Sequence, residues 1–559
     1  MLIPSYGHPS SRARRALFAV CLAASLAACS SSHHRGGPPP SNDIDEMRFR
    51  EYIRTLSSEE YEGRQPGTPG EDKTVAFITA QFHRLGLKPA SGESYAQSVP
   101  LVEIRAGADA TLSASGGRGA LLPLRYGSDM LVFSPRATPI ASLAQSELVF
   151  VGYGIVAPEY HWNDYQGTSV RGKTVLVLLG DPGTGSRDPG LFKGPSMSAY
   201  GSSSYKLSEA ARQGAAGVLL LHDAKLLGFG WNAVRNTWGG ARLESPAVAE
   251  GASTPAIEAW LTAEAGRNLI AQAGLDFTAL GNAASRPGFK AVPTGLRVSA
   301  EVHSTVRRFN STNLVGVLPG SSGSRRHEYV LYTAHWDGLG RDASGALLPG
   351  AEDASGVAGL MVLAQSFQRT RPAPERSVAF LALTGETDLL GSRHYVENPV
   401  IPLDQTAGVI NLGDLHQGGP TRDIIIFGAG NSELEDMARA AALLQGRDVR
   451  PEPHPEEGLY YASDQISFAL HGVPALEFKA GVDDSARGPQ YGLGQLDDFM
   501  AHRYRQAGDR YDEWKLGGAL EDLKLYYQVG ERLAATRRFP RWYPDSEFSA
   551  SHGRGTGSE

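Results

Sequence analysis

Four short segments of this 559-residue chain carry side chains that can bind a metal ion or move a proton. One contains His335 with Asp337 two residues later, and a second, residues 350–356, contains two adjacent acids. A third contains Glu386 and a fourth contains Asp414. Imidazole and carboxylate groups are the usual ligands of zinc, and a carboxylate beside a metal-bound water can act as a general base. Taken singly, none of these segments is specific.

The elements around these segments follow an α/β pattern. Val- and Leu-rich runs alternate with helical patterns, which favours a mixed central sheet flanked by helices. Because functional residues in such folds gather where strands end, we expect the four segments to lie together. The predicted strands are 329–333, 377–383, 408–412 and 423–427, and the predicted helices are 43–56, 73–86, 356–367, 433–444 and 520–533.

Taken in order, the four segments resemble the aminopeptidase-type zinc exopeptidases of peptidase family M28. Residues 62–64, the Ser463-Asp464 pair and the Asp-rich turn 509–512 also resemble segments of that family. The resemblance covers about residues 45–100 and 300–535. It implies the zinc-exopeptidase fold and a hydrolase that releases N-terminal residues from peptides.

The intervening region is different in composition, with short β-rich runs separated by Gly and Pro. It resembles the protease-associated domain, a small β-rich module inserted in many zinc exopeptidases. We therefore expect a discontinuous zinc-exopeptidase-like domain, residues 43–104 and 301–540, interrupted by a protease-associated-type insertion at residues 105–300.

The resemblance also implies roles for individual residues. The family holds two zinc ions, roughly 3.5–4 Å apart, that activate one water. His335 matches the first metal ligand, Asp337 the residue that orients it, and Glu386 the general base. The acid that bridges the metals is Asp353 or Glu352, depending on where this segment, one residue shorter than in the family, carries its gap.

Three of the family's ligand positions hold other residues, namely Thr387, Gly413 and Arg505. Asp414 follows Gly413, but neighbouring strand residues point to opposite faces, so it serves only if a bulge re-aims it. An arginine cannot be deprotonated in a protein and gives zinc no lone pair. A guanidinium about 4 Å from a dication would be repelled by roughly 8 kcal/mol at an effective dielectric constant near 20.

Other residues near these positions could replace the lost ligands. His502 precedes Arg505, His416 follows Asp414, and Gln465 lies where relatives often carry a histidine. We favour an ordinary loop role for all three.

Two functional hypotheses follow. In the first, the chain is a metal-poor relative with weak or no peptide hydrolysis, a possible pseudoenzyme that binds peptides or their N-termini. Arg505 then fills the vacated cation site and pairs with Glu386 and Asp353. In the alternative, it is an active zinc aminopeptidase with one metal or shifted ligands. A purely structural envelope protein is the weaker third reading, because the cleft segments are still recognisable.

The N-terminus predicts export and a lipid anchor. A basic stretch and a short apolar run lead to the sequence LAAC ending at Cys29, which resembles the signal peptide and lipobox of bacterial lipoproteins. We predict a signal over residues 1–29, lipidation of Cys29, and a flexible linker over residues 30–42. Ser30 favours the outer membrane.

Composition narrows the remaining possibilities. Cys21, the only other cysteine, lies inside the signal, so the mature chain has no thiol free for a disulfide. The net charge of −7 gives no reason to expect a nucleic-acid partner, and the membrane is contacted only through the lipid. The Ser/Gly/Arg-rich residues 541–559 predict a disordered tail.

Overall fold

The computed structural model describes residues 44–90, 92–117, 119–184, 190–251 and 254–549. All of them belong to one compact unit that begins at residue 43. The predicted signal, Cys29 and the linker 30–42 lie outside the described residues. Among the described helices, none combines the length and apolar character that a bilayer crossing requires.

Most of the strands are short and apolar, as expected for buried sheets. In the described residues they are β1 (Lys88–Pro89), β2 (Ala96–Ala106), β3 (Thr111–Gly116), β4 (Gly119–Leu124), β5 (Met130–Phe133), β6 (Ile140–Phe150), β7 (Val156–Ala157), β8 (Trp162–Asn163), β9 (Thr174–Leu178), β10 (Gly217–Leu221), β11 (Ala241–Glu244), β12 (Ile257–Leu261), β13 (Val292–Leu318), β14 (Tyr329–His335), β15 (Ser377–Leu383), β16 (Thr406–Asn411), β17 (Asp423–Ile426), β18 (Asp448–Arg450) and β19 (Ala475–Ala480).

The helices differ more in length, and several begin at Pro or after a Ser, Thr or Asp cap. They are α1 (Glu46–Leu56), α2 (Pro69–Arg84), α3 (Ser203–Arg212), α4 (Ala224–Leu227), α5 (Trp231–Trp238), α6 (Pro246–Ala249), α7 (Ala263–Gln272), α8 (Phe277–Ala284), α9 (Ala351–Arg369), α10 (Leu390–Glu397), α11 (Leu434–Leu444), α12 (Gln465–Leu470), α13 (Pro489–His502) and α14 (Gly517–Ala535).

A mixed sheet forms the centre of the C-terminal half. β14 lies between β15 and β16, parallel to both, and β19 is parallel to β16. β13 and β17 flank these strands in antiparallel orientation. The register pairs His335 with Leu383 and Asn411 with Glu477. The carboxyl ends of four parallel strands therefore meet at one edge of the sheet.

Apolar side chains cover both faces of this sheet. One core contains residues of α1, α9 and α14, and the other contains residues of α10 and α12. Every residue of β15 is buried, which explains its continuous apolar sequence. The expected fold class, a mixed central sheet flanked by helices, is confirmed.

A second sheet occupies the region predicted as an insertion. β9 lies between β6 and β10, parallel to both, and β12 continues the parallel order beyond β10. The 27-residue β13 links the two sheets, since it pairs with β3 and β6 up to His303 and with β2 from Ser304. The predicted boundary at residue 300 thus falls inside one continuous strand. That the insertion is of the protease-associated type stays a prediction.

Two sequence-based boundaries need correction. α9 begins at Ala351, not at residue 356, so both candidate bridging acids lie in its first helical turn.

The tail was predicted to be disordered from residue 541, which is wrong for residues 541–549. Trp542 and Phe548 are 8% and 3% exposed and pack in the second core, because their apolar area is removed from water there. Residues 550–559 lie outside the described part of the chain.

Candidate active site

His335 is the last residue of β14 and is only 8% exposed. Its Nε2 atom lies 3.5 Å from Oδ1 of Asp353, at ion-pair distance. Burial alone would lower the pKa of His335, but the neighbouring Asp353 and Glu386 carboxylates raise it to about 10. The raised pKa favours the protonated ring, so a metal ion would have to displace this proton in order to bind Nε2.

The two candidate bridging acids face different partners, because consecutive helical residues point in different directions. The His335 ring holds the pKa of Asp353 below its usual range in spite of burial. Glu352 instead faces Asp414, and burial together with that negative charge raises its pKa well above normal. Neither acid is singled out as a bridge.

Asp337 fixes the turn that carries Glu386. Its Oδ2 accepts hydrogen bonds from the backbone N–H groups of Gly385, at 2.9 Å, and of Glu386, at 3.2 Å. Burial raises the pKa of Asp337 to about 7. We expected Asp337 to orient His335, but among the described residues its hydrogen bonds go to this backbone turn.

Glu386, the expected general base, is occupied by a cation. Nη2 of Arg505 lies 2.8 Å from its Oε1 and 3.1 Å from its Oε2. Thr387 follows in the same turn, with Oγ1 3.4 Å from Glu386 Oε2. The Arg505 and Glu386 side chains are only 15% and 20% exposed, so this ion pair is largely removed from water. A direct ion pair from Arg505 to Asp353 is absent from the described residues, and the two interact through their charges at longer range.

The inserted region helps to hold Arg505 in place. The side-chain amide of Asn236, on α5, donates to the carbonyl oxygen of Arg505 at 2.7 Å. Nη1 of Arg505 donates to Oγ1 of Thr237 at 3.1 Å, and its Nε donates to the Tyr504 hydroxyl at 2.9 Å. Arg505 has φ = 55°, a left-handed conformation that side chains other than Gly adopt only when their surroundings fix it.

A second, partly buried cation was missed in the sequence. Lys479, on β19, places Nζ 2.9 Å from Oδ2 of Asp414. Burial would lower the pKa of Lys479, but the Asp414, Glu352 and Glu477 carboxylates raise it. The sequence signal that could have revealed this cation is a lysine inside the apolar strand sequence ALEFKA. A lysine in a mostly buried strand needs acidic side chains nearby to neutralise its charge.

Asp414 reaches this cation without a β-bulge. β16 ends at Asn411, so the alternation of side chains along a strand does not apply to residue 414. Lys479 holds the pKa of Asp414 below its usual range against the effect of burial. Asp414, which follows the replaced ligand position Gly413, is therefore already paired with Lys479.

The replaced position Gly413 leaves little room for an aspartate. A Cβ atom at Gly413 would lie 2.6 Å from Oε1 of Glu477. Glu477 accepts a hydrogen bond from Nδ2 of Asn411 at 2.9 Å, and burial raises its pKa to about 7. The Glu477 carboxyl group thus occupies the space that a ligand side chain at residue 413 would use.

The three alternative ligands take ordinary roles. His502 is exposed and lies 3.1 Å from Asp498. Gln465 accepts from Asn411 and donates to the Tyr460 carbonyl. A Cβ atom at Gly518 would lie 2.4 Å from the buried ring of His416, which places this ring against α14.

Arg64, within the resembling segment 62–64, anchors the loop that leads into α9. Its buried guanidinium donates to the carbonyl oxygens of Leu56, Trp336 and Gly350 at 2.6–3.0 Å. The adjacent Gly63 has φ = 68°, and a Cβ there would meet backbone atoms at 2.5–2.8 Å, so only glycine fits. These contacts position the first turn of α9 beside His335.

Comparison with known proteins identifies this arrangement. The sequence model described as Peptidase family M28 matches residues 313–527, the span that contains all of the ligand-position residues considered above. Residues 313–527 are therefore similar to the M28 peptidases, and this segment is called the M28 domain below. The expected recognition, an aminopeptidase-type zinc exopeptidase, is therefore confirmed.

One solved structure extends the likeness in fold beyond the M28 domain. The aminopeptidase from Aneurinibacillus sp. strain AM-1 is similar in fold, with 20% identity and a TM-score of 0.53, over 89% of this chain and 95% of that chain. The Peptidase M28 precursor from Shewanella amazonensis SB2B aligns at 17% identity and TM-score 0.45, covering 90% of this chain and 100% of that one. A zinc aminopeptidase from Bacillus subtilis aligns at 17% identity and TM-score 0.45, covering 88% and 95%. No curated protein matches the chain.

The M28 family implies zinc, yet the residues present do not fit a zinc pair. Across the described ranges, no group of three or more His, Cys, Asp or Glu side chains converges to hold a metal ion. Arg505 and Lys479 are bonded to carboxylates that metal ions would need. One observation favours zinc, because the buried Nε2 of His335 has no hydrogen-bond partner. One imidazole does not compensate for the two cations, Arg505 and Lys479, that already pair with the carboxylates of this cleft.

Proposed function

We propose that this chain is an extracytoplasmic, lipid-anchored M28 relative that binds peptides in its cleft and hydrolyses them weakly or not at all. The observation that carries the proposal is the Arg505–Glu386 ion pair at 2.8 Å. A general base must accept a proton from water, and Glu386 instead gives both oxygens to a guanidinium.

Charge compensation explains how the cleft stays folded without metal. Buried carboxylates are costly unless a cation neutralises them. Arg505 supplies that charge to Glu386, while Lys479 supplies it to Asp414. Side chains of the protein thus replace, in part, the positive charge that a metal pair brings to this fold.

The location of the protein is part of the proposal. It is supported by the LAAC sequence ending at Cys29, which predicts a lipid anchor in the bacterial envelope. The following residue, Ser30, favours the outer membrane. A cleft facing the periplasm or the cell exterior would meet peptides, the substrate class of the peptidase family.

Hydrolysis of aminoacyl anilides tests the proposal. With purified mature protein, we expect no turnover above a chelator-treated control, with or without added zinc or cobalt. Chelator-sensitive turnover restored by metal would contradict it. That result would favour the alternative, an active zinc aminopeptidase, which is supported by the buried Nε2 of His335 that makes no hydrogen bond.

A further inference from the structure

A narrow cavity opens next to the Glu386 turn, between the inserted region and the M28 domain. Its walls come from residues 236–243 on one side and from residues 337–341 and 385–390 on the other. The enclosed volume is about 50 Å³. That space accepts a small polar group, such as a carboxylate with a water molecule, rather than a long side chain.

Two arginines at the rim of this cavity have no acidic partner. Arg105, on β2, is exposed, and its side chain makes no hydrogen bond or ion pair with any described residue. Arg341 is also exposed, and within the described ranges its guanidinium donates only to the carbonyl oxygen of Gly345, at 3.0 Å. In a chain of net charge −7, unpaired guanidinium groups that line one cavity form a local positive rim.

The acids of the cavity are already engaged and do not cancel this rim. Asp337 accepts backbone N–H groups, and Asp388 lies 3.8 Å from Nη2 of Arg242. Arg242 also contacts Glu244 and Glu258, at 3.0 and 3.6 Å. Burial raises the pKa values of these two glutamates to about 8 and about 7, so much of their negative charge is lost at neutral pH.

We infer that this cavity binds the carboxylate group of a peptide, from an acidic side chain or the free C-terminus, through Arg105 and Arg341. The inference rests on the proposed peptide-binding function and names its ligand class. Guanidinium forks bind carboxylates bidentately, and such charge-assisted bonds are stronger than neutral ones. The cavity admits a group of this size beside the blocked Glu386.

Calorimetric titration of the mature protein with three peptides tests the inference. The peptides are trialanine amide, which has no carboxylate, trialanine with a free C-terminus, and Ala-Asp-Ala amide. At least one carboxylate peptide is expected to bind about tenfold more tightly than trialanine amide. The peptide that binds more tightly shows whether the carboxylate that enters the cavity comes from an acidic side chain or from the C-terminus.

Matched variants assign the effect to the rim. The double variant Arg105→Gln/Arg341→Gln should lose the preference, while Arg326→Gln should keep it. Arg326 is also exposed, but it precedes β14 at the opposite end of that strand from His335. Melting temperatures equal to that of the unmodified protein would show that the variants fold.

Three results would overturn the inference: equal affinity for all three peptides, no binding of any peptide, or a preference that survives the double substitution. No binding of any peptide would also overturn the proposed peptide-binding function, whereas the other two results would overturn only the carboxylate preference. All three are distinct from failure of the metal-poor part of the proposal. Tight zinc binding would end that proposal and leave a carboxylate preference standing.

Discussion

The guanidinium of Arg505 donates to both carboxylate oxygens of Glu386, at 2.8 and 3.1 Å, from a loop 119 residues further along the chain. We expect Arg505→Ala to lower the free energy of unfolding by about 3 kcal/mol, because it leaves Glu386 as a largely buried charge without its partner. Urea denaturation at neutral pH measures this change.

The control for that variant is a pair on the surface. Arg450 and Asp448 lie 2.9 Å apart but are 59% and 70% exposed, so Arg450→Ala should cost at most about 1 kcal/mol. In the double variant Arg505→Ala/Glu386→Gln, much of the lost stability should return. If Arg505→Ala and Arg450→Ala lower the free energy of unfolding by equally small amounts, the Arg505–Glu386 ion pair does not stabilise the fold.

Restoring the family's ligand residues tests whether their replacement prevents zinc binding. Thr387→Glu, Gly413→Asp and Arg505→His together should raise zinc affinity, measured by calorimetry. The gain should be larger when Glu477→Ala is added, because Oε1 of Glu477 lies 2.6 Å from the position of a Cβ at residue 413.

The matched control keeps Arg505 and restores only the other two positions. We expect no gain in zinc affinity there, because the guanidinium still repels the metal. If that control binds zinc as well as the full set does, Arg505 is not what prevents binding.

The lipid anchor is tested at the two cysteines. Cys29→Ser should abolish incorporation of labelled fatty acid and release the protein from the membrane fraction. Cys21→Ser should leave both unchanged, because Cys21 lies within the predicted signal. Membrane association that persists in Cys29→Ser would contradict lipidation at this residue.

The stability that Glu433 gains from the ordered C-terminal segment should depend on pH. Hydrogen bonds from Arg538, with those from Arg541, lower the pKa of Glu433 to about 2, compared with about 4.3 in an unfolded chain. A lowered pKa stabilises the folded state above about pH 4.3, and this stabilisation is lost as the pH falls towards 2. Glu433→Gln should therefore be less stable than the natural chain at pH 7, and the difference should shrink on acidification.

Urea unfolding at several pH values measures that difference. Glu59→Gln, at an exposed glutamate without an ion pair in the described residues, is the control and should match the natural chain throughout. A Glu433→Gln deficit that stays constant from pH 7 to pH 3 would contradict this account.

Much of the M28 fold was readable from local sequence patterns. The strand predicted over residues 377–383 has those bounds, since its uninterrupted apolar run is buried on both faces. The sequence pattern predicts α9 only from residue 356, because the preceding segment is Gly-rich. Acids in a first turn are nevertheless a helix signal, and the helix begins at Ala351. His335 and Glu386 were placed in one cleft by the rule that strand ends meet.

The rest of the site depends on long-range pairing. Lys479 meets Asp414 across 65 residues because β19 pairs with β16 in one particular register. Nothing in the local sequence specifies that register. The link from Asn236 to the Arg505 carbonyl spans 269 residues and depends on how the inserted region packs, which periodicity does not predict.

Metal content of the purified mature protein tests the central claim most directly. After incubation with excess zinc and removal of free metal, elemental analysis should find well below one zinc ion per chain, with the Arg505–Glu386 pair intact in a crystal of the same material. One or two tightly bound zinc ions per chain beside His335, with Arg505 turned away from Glu386, would contradict the account.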